Sequence, residues 1–327
     1  MRVLVLGATG FIGGHIARAA LQAGWEVRGL RRNANRSGHL ADLPVEWVQG
    51  DLNDDASLRL AMERVDIVYH AAAFYPTDGN PRKVGKQVEF AKREIKNVIA
   101  AVEAAKVKRF VFTSTLTTIG HPPPEEDRLA DERDVYIPGT LPKSAYYETK
   151  IAMEKIVMDA AVEQDIPAVV LNPTAVFGPG DVNVGVGGIL IAVARGQMRA
   201  WLPGKINVVD ARDVANAHII AAEKGEIGER YIVGGHNYAV KEALRIAANV
   251  AGVREPSFEI PLWALNGIVR LGDILPFLPV PANHLRTVAY WQGYNCDKAK
   301  NILELSPRPF RETVWDALEW FRKYGLV

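Results

Sequence analysis

The sequence lacks most of what would tie a chain to a specialised compartment or a polymeric partner. A single cysteine, Cys296, stands in 327 residues, so an intramolecular disulfide and a cysteine metal cluster are both excluded. A reducing compartment, by default the cytoplasm, is expected. Excess charge is missing as well: 39 Lys and Arg face 38 Asp and Glu, a formal net charge of +1. That balance removes the electrostatic reason to expect nucleic acid, an acidic polymer or a membrane surface. Long hydrophobic runs are also absent. The apolar stretch Val3–Leu6 after Arg2 stops at Gly7, too short for a signal-peptide core. Charge or glycine interrupts every other candidate for the roughly 18 apolar residues of a spanning helix. His121 has no partner nearby, and no metal is expected. The expected partner is a small molecule.

What is present is an ordinary globular composition, 48% hydrophobic and 24% charged, enough to bury a full core in one large domain or a large and a small one. Short β-branched runs alternate with helical patterns: Val3–Leu6 then Phe11–Gln22; Glu26–Leu30; Val45–Gln49 then Ala56–Glu63; Ile67–Tyr69 then Val84–Ala105; Val111–Thr113, a helix from Ser144, and Ala168–Leu171. This rhythm predicts right-handed crossovers and an α/β Rossmann fold with a doubly wound parallel sheet. After Asn172 the rhythm breaks into a Gly-rich segment, Gly178–Gly188, and an aromatic, Pro-rich stretch from Pro256 to Trp291. The division expected is residues 1–173, with 206–233 returning to the sheet, as the dinucleotide-binding domain. Residues 174–205 and 234–327 then form a smaller, discontinuous C-terminal substrate lobe. Phe310, Val314, Ala317, Leu318 and Phe321 have the spacing of a packed amphipathic helix.

Between the first strand and helix lies Gly7-Ala8-Thr9-Gly10-Phe11-Ile12-Gly13. Glycine at these three positions allows a sharp turn, close approach to a pyrophosphate and tight helix–strand packing, while the helix N-terminus offers N–H groups and partial positive charge. NAD-specific folds place an acidic residue about 20 residues further on to bind the ribose 2′-hydroxyl. Here the second strand runs into Arg31-Arg32, whose guanidiniums suit a 2′-phosphate, and NADP is the expected cofactor. Asp51, followed by Leu52, can accept from the adenine amine or serve as a turn or cap residue. Ala71, Ala72 and Ala73 after the fourth strand permit close approach of the cofactor, or simply pack.

Tyr146 and Lys150 are four apart and share a helix face. An ammonium there favours the phenolate and makes the tyrosine a usable proton donor and acceptor near neutrality, and the lysine can also hold the nicotinamide ribose. Tyr294 and Lys298 have the same spacing, so position must decide. The first pair follows a strand ending in Ser114-Thr115, at the sheet edge where such folds bind ligands. Either hydroxyl can hydrogen-bond a substrate oxygen while Tyr146 moves the proton.

The glycine turn, the strand-end hydroxyls and Tyr146-x-x-x-Lys150 together resemble the extended short-chain dehydrogenase/reductase superfamily, also called the NAD-dependent epimerase/dehydratase superfamily, over nearly the whole chain. Val27–Arg32, Val111–Thr115, Asn172-Pro173-Thr174, Gly178–Asp181 and Gly228–Tyr231 are similar to its dihydroflavonol-reductase-like branch, including proteins labelled hopanoid-associated sugar epimerases. The resemblance implies that Thr115 rather than Ser114 is the active-site hydroxyl, because Gly120 follows it at the family spacing. It implies Pro173 and Thr174 beside the nicotinamide, and a homodimer through the helices around Val84–Ala105 and Ser144–Ala161. The chain departs from the pattern at Ala91, where many relatives carry Asn, so a proton relay through that position is in doubt; Asn97 is a different helical position.

Three functions stay open. The leading one is reversible reduction of a hydrophobic ketone or aldehyde to an alcohol. A nucleotide-sugar epimerase or 4,6-dehydratase is the first rival, although Leu116 and Thr117 stand where dehydratases carry Asp-Glu. The second is a binding protein that senses NADP without catalysis. Trp201, Phe258, Trp263, Phe277, Leu278 and Trp291 give the second lobe apolar bulk, while Arg270, Arg286 and Lys205 are its few cations for a sugar diphosphate. Residues His121–Lys143 form a lid or a surface loop.

Overall fold

The computed structural model describes residues 1–72, 81–141, 144–274, 285 and 287–327. Val3, Leu4, Val5 and Leu6 are wholly buried, as a strand covered by helices on both faces requires, and with Arg2 they form β1 (Arg2–Leu6). The chain continues through α1 (Phe11–Gln22), β2 (Glu26–Arg31), β3 (Val45–Gln49), α2 (Asp55–Met62), β4 (Ile67–His70), α3 (Val84–Ala105), β5 (Arg109–Thr113), α4 (Ala145–Glu163) and β6 (Ala168–Pro173). There follow β7 (Ala175–Phe177), α5 (Gly188–Ala194), β8 (Ala200–Trp201), β9 (Lys205–Asp210), α6 (Ala211–Lys224), β10 (Arg230–Val233), β11 (His236–Ala239), α7 (Val240–Ala251), β12 (Phe258–Glu259) and α8 (Leu262–Ile274). Two further helices, α9 (Asp297–Ile302) and α10 (Phe310–Lys323), close the series.

Among the described residues, seven strands form a sheet in the order β10-β6-β5-β4-β1-β2-β3, parallel throughout. Strand order reverses at β1, which has β2 on one side and β4 on the other, so the crevice at their carboxyl ends is the topological switch point where such sheets bind ligands. Alternation along β1 sends Val3 and Val5 into one core with Ile16, Ala20 and Val214 from α1 and α6. Leu4 and Leu6 enter the other with Leu58, Ile95, Val98 and Met153 from α2, α3 and α4. Each such side chain contributes about 1.5–3 kcal/mol when fully buried, so β1 is anchored from both faces and its carboxyl end is held still.

The later segment divides. β10 pairs with β6 in the large sheet and α6 packs on α1, whereas β9 lies in a three-stranded sheet, parallel to β7 and antiparallel to β11. The buried pair Val208-Val209 reads alike in either sheet. Phe177, Leu190, Leu244, Phe310, Val314 and Phe321 fill the core beneath this smaller sheet. Among the described residues no helix is long and apolar enough to cross a membrane, and no group of His, Cys, Asp or Glu side chains could hold a metal ion.

Candidate active site

The turn after β1 is tight where its glycines require it. Gly7 has φ +90°, and a Cβ there would stand 2.6 Å from the Ala72 nitrogen and 2.8 Å from the Ala71 carbonyl carbon. A Cβ on Gly13 would overlap the Gly7 carbonyl oxygen and lie 2.6 Å from its carbon, so α1 rests directly on the turn. Gly10 donates its N–H to Gly7 O at 2.9 Å and caps α1 without a side chain, and the first turn holds no acidic residue. The positive end of the helix dipole is therefore left unneutralised at the crevice, the setting in which a phosphate binds. Thr9, half-buried, lies within the turn, and Phe11 and Ile12, also half-buried, open the helix. Ala71 is tied to β1 by its N–H to Leu6 O at 2.9 Å; Ala73 lies outside the described residues.

At the end of β2 the two arginines part ways. The Arg31 guanidinium stacks 4.9 Å over the Trp47 ring, which occupies one face and leaves the N–H edge for an anion. Arg32 is exposed. Asp51 accepts from the Asn53 N–H at 2.8 Å and its Nδ2 at 3.1 Å. Those bonds, with Arg32 contributing, hold its carboxyl below the usual range. The geometry is that of a turn-forming aspartate. Leu52 is buried, and its carbonyl accepts from Asn97 Nδ2 at 3.3 Å, which gives Asn97 a structural contact of its own. Ala91 is completely buried.

At the carboxyl end of β5, Thr115 is extended (φ −163°) and begins a single 3-10 turn, Leu116–Thr118. Tyr146, in the first turn of α4, donates its hydroxyl to Thr115 Oγ1 at 3.3 Å. Ser114 instead donates to the Glu154 carboxylate, so of the two strand-end hydroxyls Thr115 is the one turned to the tyrosine. One helical turn along, Lys150 is 7% exposed. Burial pulls its amine down to about 8, against the opposing pull of Glu94 and Glu154. Tyr294 and Lys298 are elsewhere: Tyr294 is buried, and Lys298 Nζ donates to Glu229 Oε2 at 2.6 Å and Arg230 O at 2.8 Å. Pro173 ends β6 beside Val233, and Thr174 donates Oγ1 to Asn207 Oδ1 at 2.8 Å.

Four residues around this centre have no role in the sequence reading. His70, at the end of β4, is fully buried between Phe110 and Phe112, and neither ring nitrogen has a hydrogen-bond partner among the described residues. Burial, with the Lys150 charge adding to it, lowers its pKa to about 3, so the imidazole is neutral. Glu154, Asn172 and Arg230 form a buried polar cluster behind Thr115. Glu154 had a signal, since it follows Lys150 at the same spacing of four as Lys150 follows Tyr146. Asn172 and Arg230 lie in segments that resemble the family but were given no role there, and nothing local marks His70.

Of the aromatic residues expected to line an apolar cleft, Trp201 donates Nε1 to Glu259 at 2.9 Å beneath the Lys241 ammonium, and Phe258 and Trp263 are 56% and 78% exposed. Trp291 packs at the edge of the smaller core. Arg270 and Lys205 are exposed, while Phe277, Leu278 and Arg286 lie outside the described residues, as do positions 142 and 143 of the segment begun by His121. In that segment Arg128 holds Asp134 through two bonds, at 2.6 and 2.7 Å, and Ile119 bridges to Val135.

A glycine turn under an unneutralised helix end, set at the switch point of a parallel sheet beside a Tyr–Thr–Lys group, defines a Rossmann-fold protein of the extended short-chain dehydrogenase/reductase type. Residues 3–234 match the NAD dependent epimerase/dehydratase family, and the chain belongs to it. It is 31% identical to sterol demethylase protein B of Methylococcus capsulatus, over the full length of both. Cinnamoyl-CoA reductase 1 of Petunia hybrida is 33% identical over 70% of this chain and 71% of its own. Among solved structures, a nucleoside-diphosphate-sugar epimerase from Pseudomonas aeruginosa superposes with a TM-score of 0.84 at 26% identity, covering 100% of this chain and 99% of its own.

Proposed function

We propose that the protein is an NADP-dependent oxidoreductase that interconverts a hydrophobic ketone or aldehyde and its alcohol. The observation that carries this reading is the Tyr146 hydroxyl on Thr115 Oγ1 at 3.3 Å with buried Lys150 one turn away. A carbonyl oxygen seated between the two hydroxyls accepts a hydrogen bond from Thr115 and the proton from Tyr146. The Lys150 ammonium stabilises the phenolate left behind. The nicotinamide, when bound, supplies or takes the hydride. Gly7, Gly10 and Gly13, with Thr9, Phe11 and Ile12 about the free end of α1, suit the pyrophosphate. Ala71 and Ala72 leave room beside it, and Lys150, Pro173 and Thr174 border the nicotinamide end.

What supports NADP is the pair Arg31 and Arg32 where a ribose-binding carboxylate would stand in an NAD enzyme. The reductase name of the Petunia relative favours carbonyl reduction, and the epimerase name of the Pseudomonas structure keeps the sugar-nucleotide reading as the alternative. A homodimer through α3 and α4 belongs to the same proposal and is checked by sedimentation. The deciding experiment is a panel of terpenoid, steroid, flavonoid and aryl carbonyls beside UDP- and dTDP-sugars, each with NADPH and with NADH. Oxidation of NADPH by apolar carbonyls is expected. Turnover confined to the sugars, or a higher efficiency with NADH, overturns the proposal in its substrate or its cofactor half respectively.

A further inference from the structure

The hydroxyl of Thr115 is useful only if its backbone is fixed, and that backbone belongs to a loop rather than to the sheet. Its neighbours on both sides are held by one carboxylate. Glu154 Oε2 accepts from Ser114 Oγ, from Thr118 Oγ1 at 2.6 Å and from Asn172 Nδ2 at 2.7 Å. The same Nδ2 lies 3.2 Å from the Thr115 carbonyl and 2.8 Å from Thr118 Oγ1, its two hydrogens shared among the three acceptors. The other oxygen, Oε1, accepts from Arg230 Nη1 at 3.0 Å. Arg230 in turn donates to the Glu132 carbonyl at 2.7 Å and the Asp134 carbonyl at 3.2 Å. Both side chains of the ion pair are nearly closed off from solvent, at 10% and 7% exposure.

A buried ion pair of this kind is a poor source of stability, because apolar residues of equal volume commonly serve the fold as well. What it does here is geometric. Glu154 lies on the helix that carries Tyr146 and Lys150, two turns beyond the tyrosine. It therefore ties the proton-donating helix, the end of β5 and the start of β10 to one point, around the residue whose hydroxyl must meet Tyr146.

Resting on the oxidoreductase reading above, we propose that Glu154, braced by Arg230, is the positioning residue that sets the Thr115 hydroxyl against Tyr146. Placement of a reacting group within a fraction of an ångström governs turnover more than binding, so the device acts on kcat.

The test is the double variant Glu154→Leu with Arg230→Met, which removes both charges together. Its kcat is expected to fall about 10- to 100-fold with KM and the NADPH dissociation constant within twofold of wild type. The uncharged pair Glu154→Gln with Arg230→Gln, which keeps an acceptor oxygen for the three donors, is expected to recover most of that loss. In a Thr115→Ala background the apolar pair is expected to cost no more than about twofold further, because residues acting as a unit are not additive. An apolar pair that keeps kcat within twofold overturns the proposal. So does a loss equally large without Thr115. If the apolar pair does not fold, Ser114→Ala with Thr118→Val removes two of the donors and leaves the ion pair intact, and is decided by the same two outcomes. A crystal structure of the folded variant reads the proposal apart from turnover: Tyr146 and Thr115 are expected beyond hydrogen-bond reach, and an unchanged separation overturns it. Wild-type protein inert toward every carbonyl sinks the oxidoreductase reading alone.

Discussion

Lys150 carries opposing demands. The proposed reaction needs its ammonium beside Tyr146, yet burial makes that charge expensive and brings the amine from 10.5 down to about 8, a difference worth about 3 kcal/mol. Below pH 8 the lysine is charged in both folded and unfolded chains and the full cost is present. Between about 8 and 10.5 the folded chain sheds its proton first and the cost fades; above that range it is gone. Lys150→Met is therefore expected to be more stable than wild type by up to about 3 kcal/mol at pH 7, with the gain vanishing near pH 10.5. Urea titrations at the two pH values check this, and a methionine variant no more stable at pH 7 shows that the buried ammonium carries no net cost. Tyr146→Phe isolates the hydroxyl: loss of a general acid lowers kcat by about 10²–10⁴, while NADPH affinity by fluorescence titration stays within about threefold. A kcat reduced less than tenfold removes Tyr146 from the proton-transfer role.

At the scale of elements, the contact between the turn and α1 separates two kinds of glycine. Gly13→Ala drives a methyl into the Gly7 carbonyl, rigid backbone on both sides, and is expected to cost about 2–3 kcal/mol and to abolish dinucleotide binding. Gly24 follows the same helix with φ +77° and open space where its Cβ would be, so Gly24→Ala costs about 1 kcal/mol of left-handed strain and leaves binding alone. Denaturant unfolding of both variants decides it, and equal losses deny that the turn is tight. This first unit was legible because its signals are local: Phe11–Gln22 is the helix in both the pattern and the structure. β9 was not, since its pairing with β7 and β11 is set by residues far apart in the chain. Arg28 shows the same limit. It reads as part of a strand, yet its guanidinium reaches across to the Ala61 and Glu63 carbonyls, at 2.8 and 3.0 Å, at the end of α2. Of the candidate site, the Tyr146–Lys150 spacing and the strand-end hydroxyls could be read from the chain, and the resemblance preferred Thr115 through Gly120, whereas the carboxylate that engages Ser114 is Glu154, 40 residues away in sequence.

For the whole molecule, the joint between the smaller sheet, the α6 layer and the C-terminal helix converges on Asp210. It ends β9, caps α6 through the Arg212 N–H at 2.8 Å and accepts from Arg212 Nη2 at 2.7 Å and from Thr313 Oγ1 of α10 at 2.8 Å. Burial pushes its carboxyl up, but the hydrogen bonds from Arg212 outweigh it and leave the group below its ordinary 3.8. A depressed carboxyl contributes its full share above the unfolded value and loses it as pH falls through the folded one. Asp210→Asn keeps the shape and removes the charge. Arg212 retains Asp316 at 2.7 Å, so the expected loss is about 2 kcal/mol rather than that of an abandoned buried cation. The gap from wild type should be constant from pH 5 to 8 and narrow below pH 4. A gap as wide at pH 3 as at pH 7 means that amide geometry, not charge, is responsible. Because Thr313 exchanges a charged acceptor for a neutral amide while β1 loses nothing, amide exchange should quicken in α10 and not in β1. Acceleration spread evenly over both shows instead that the two parts open together and that Asp210 is not their joint.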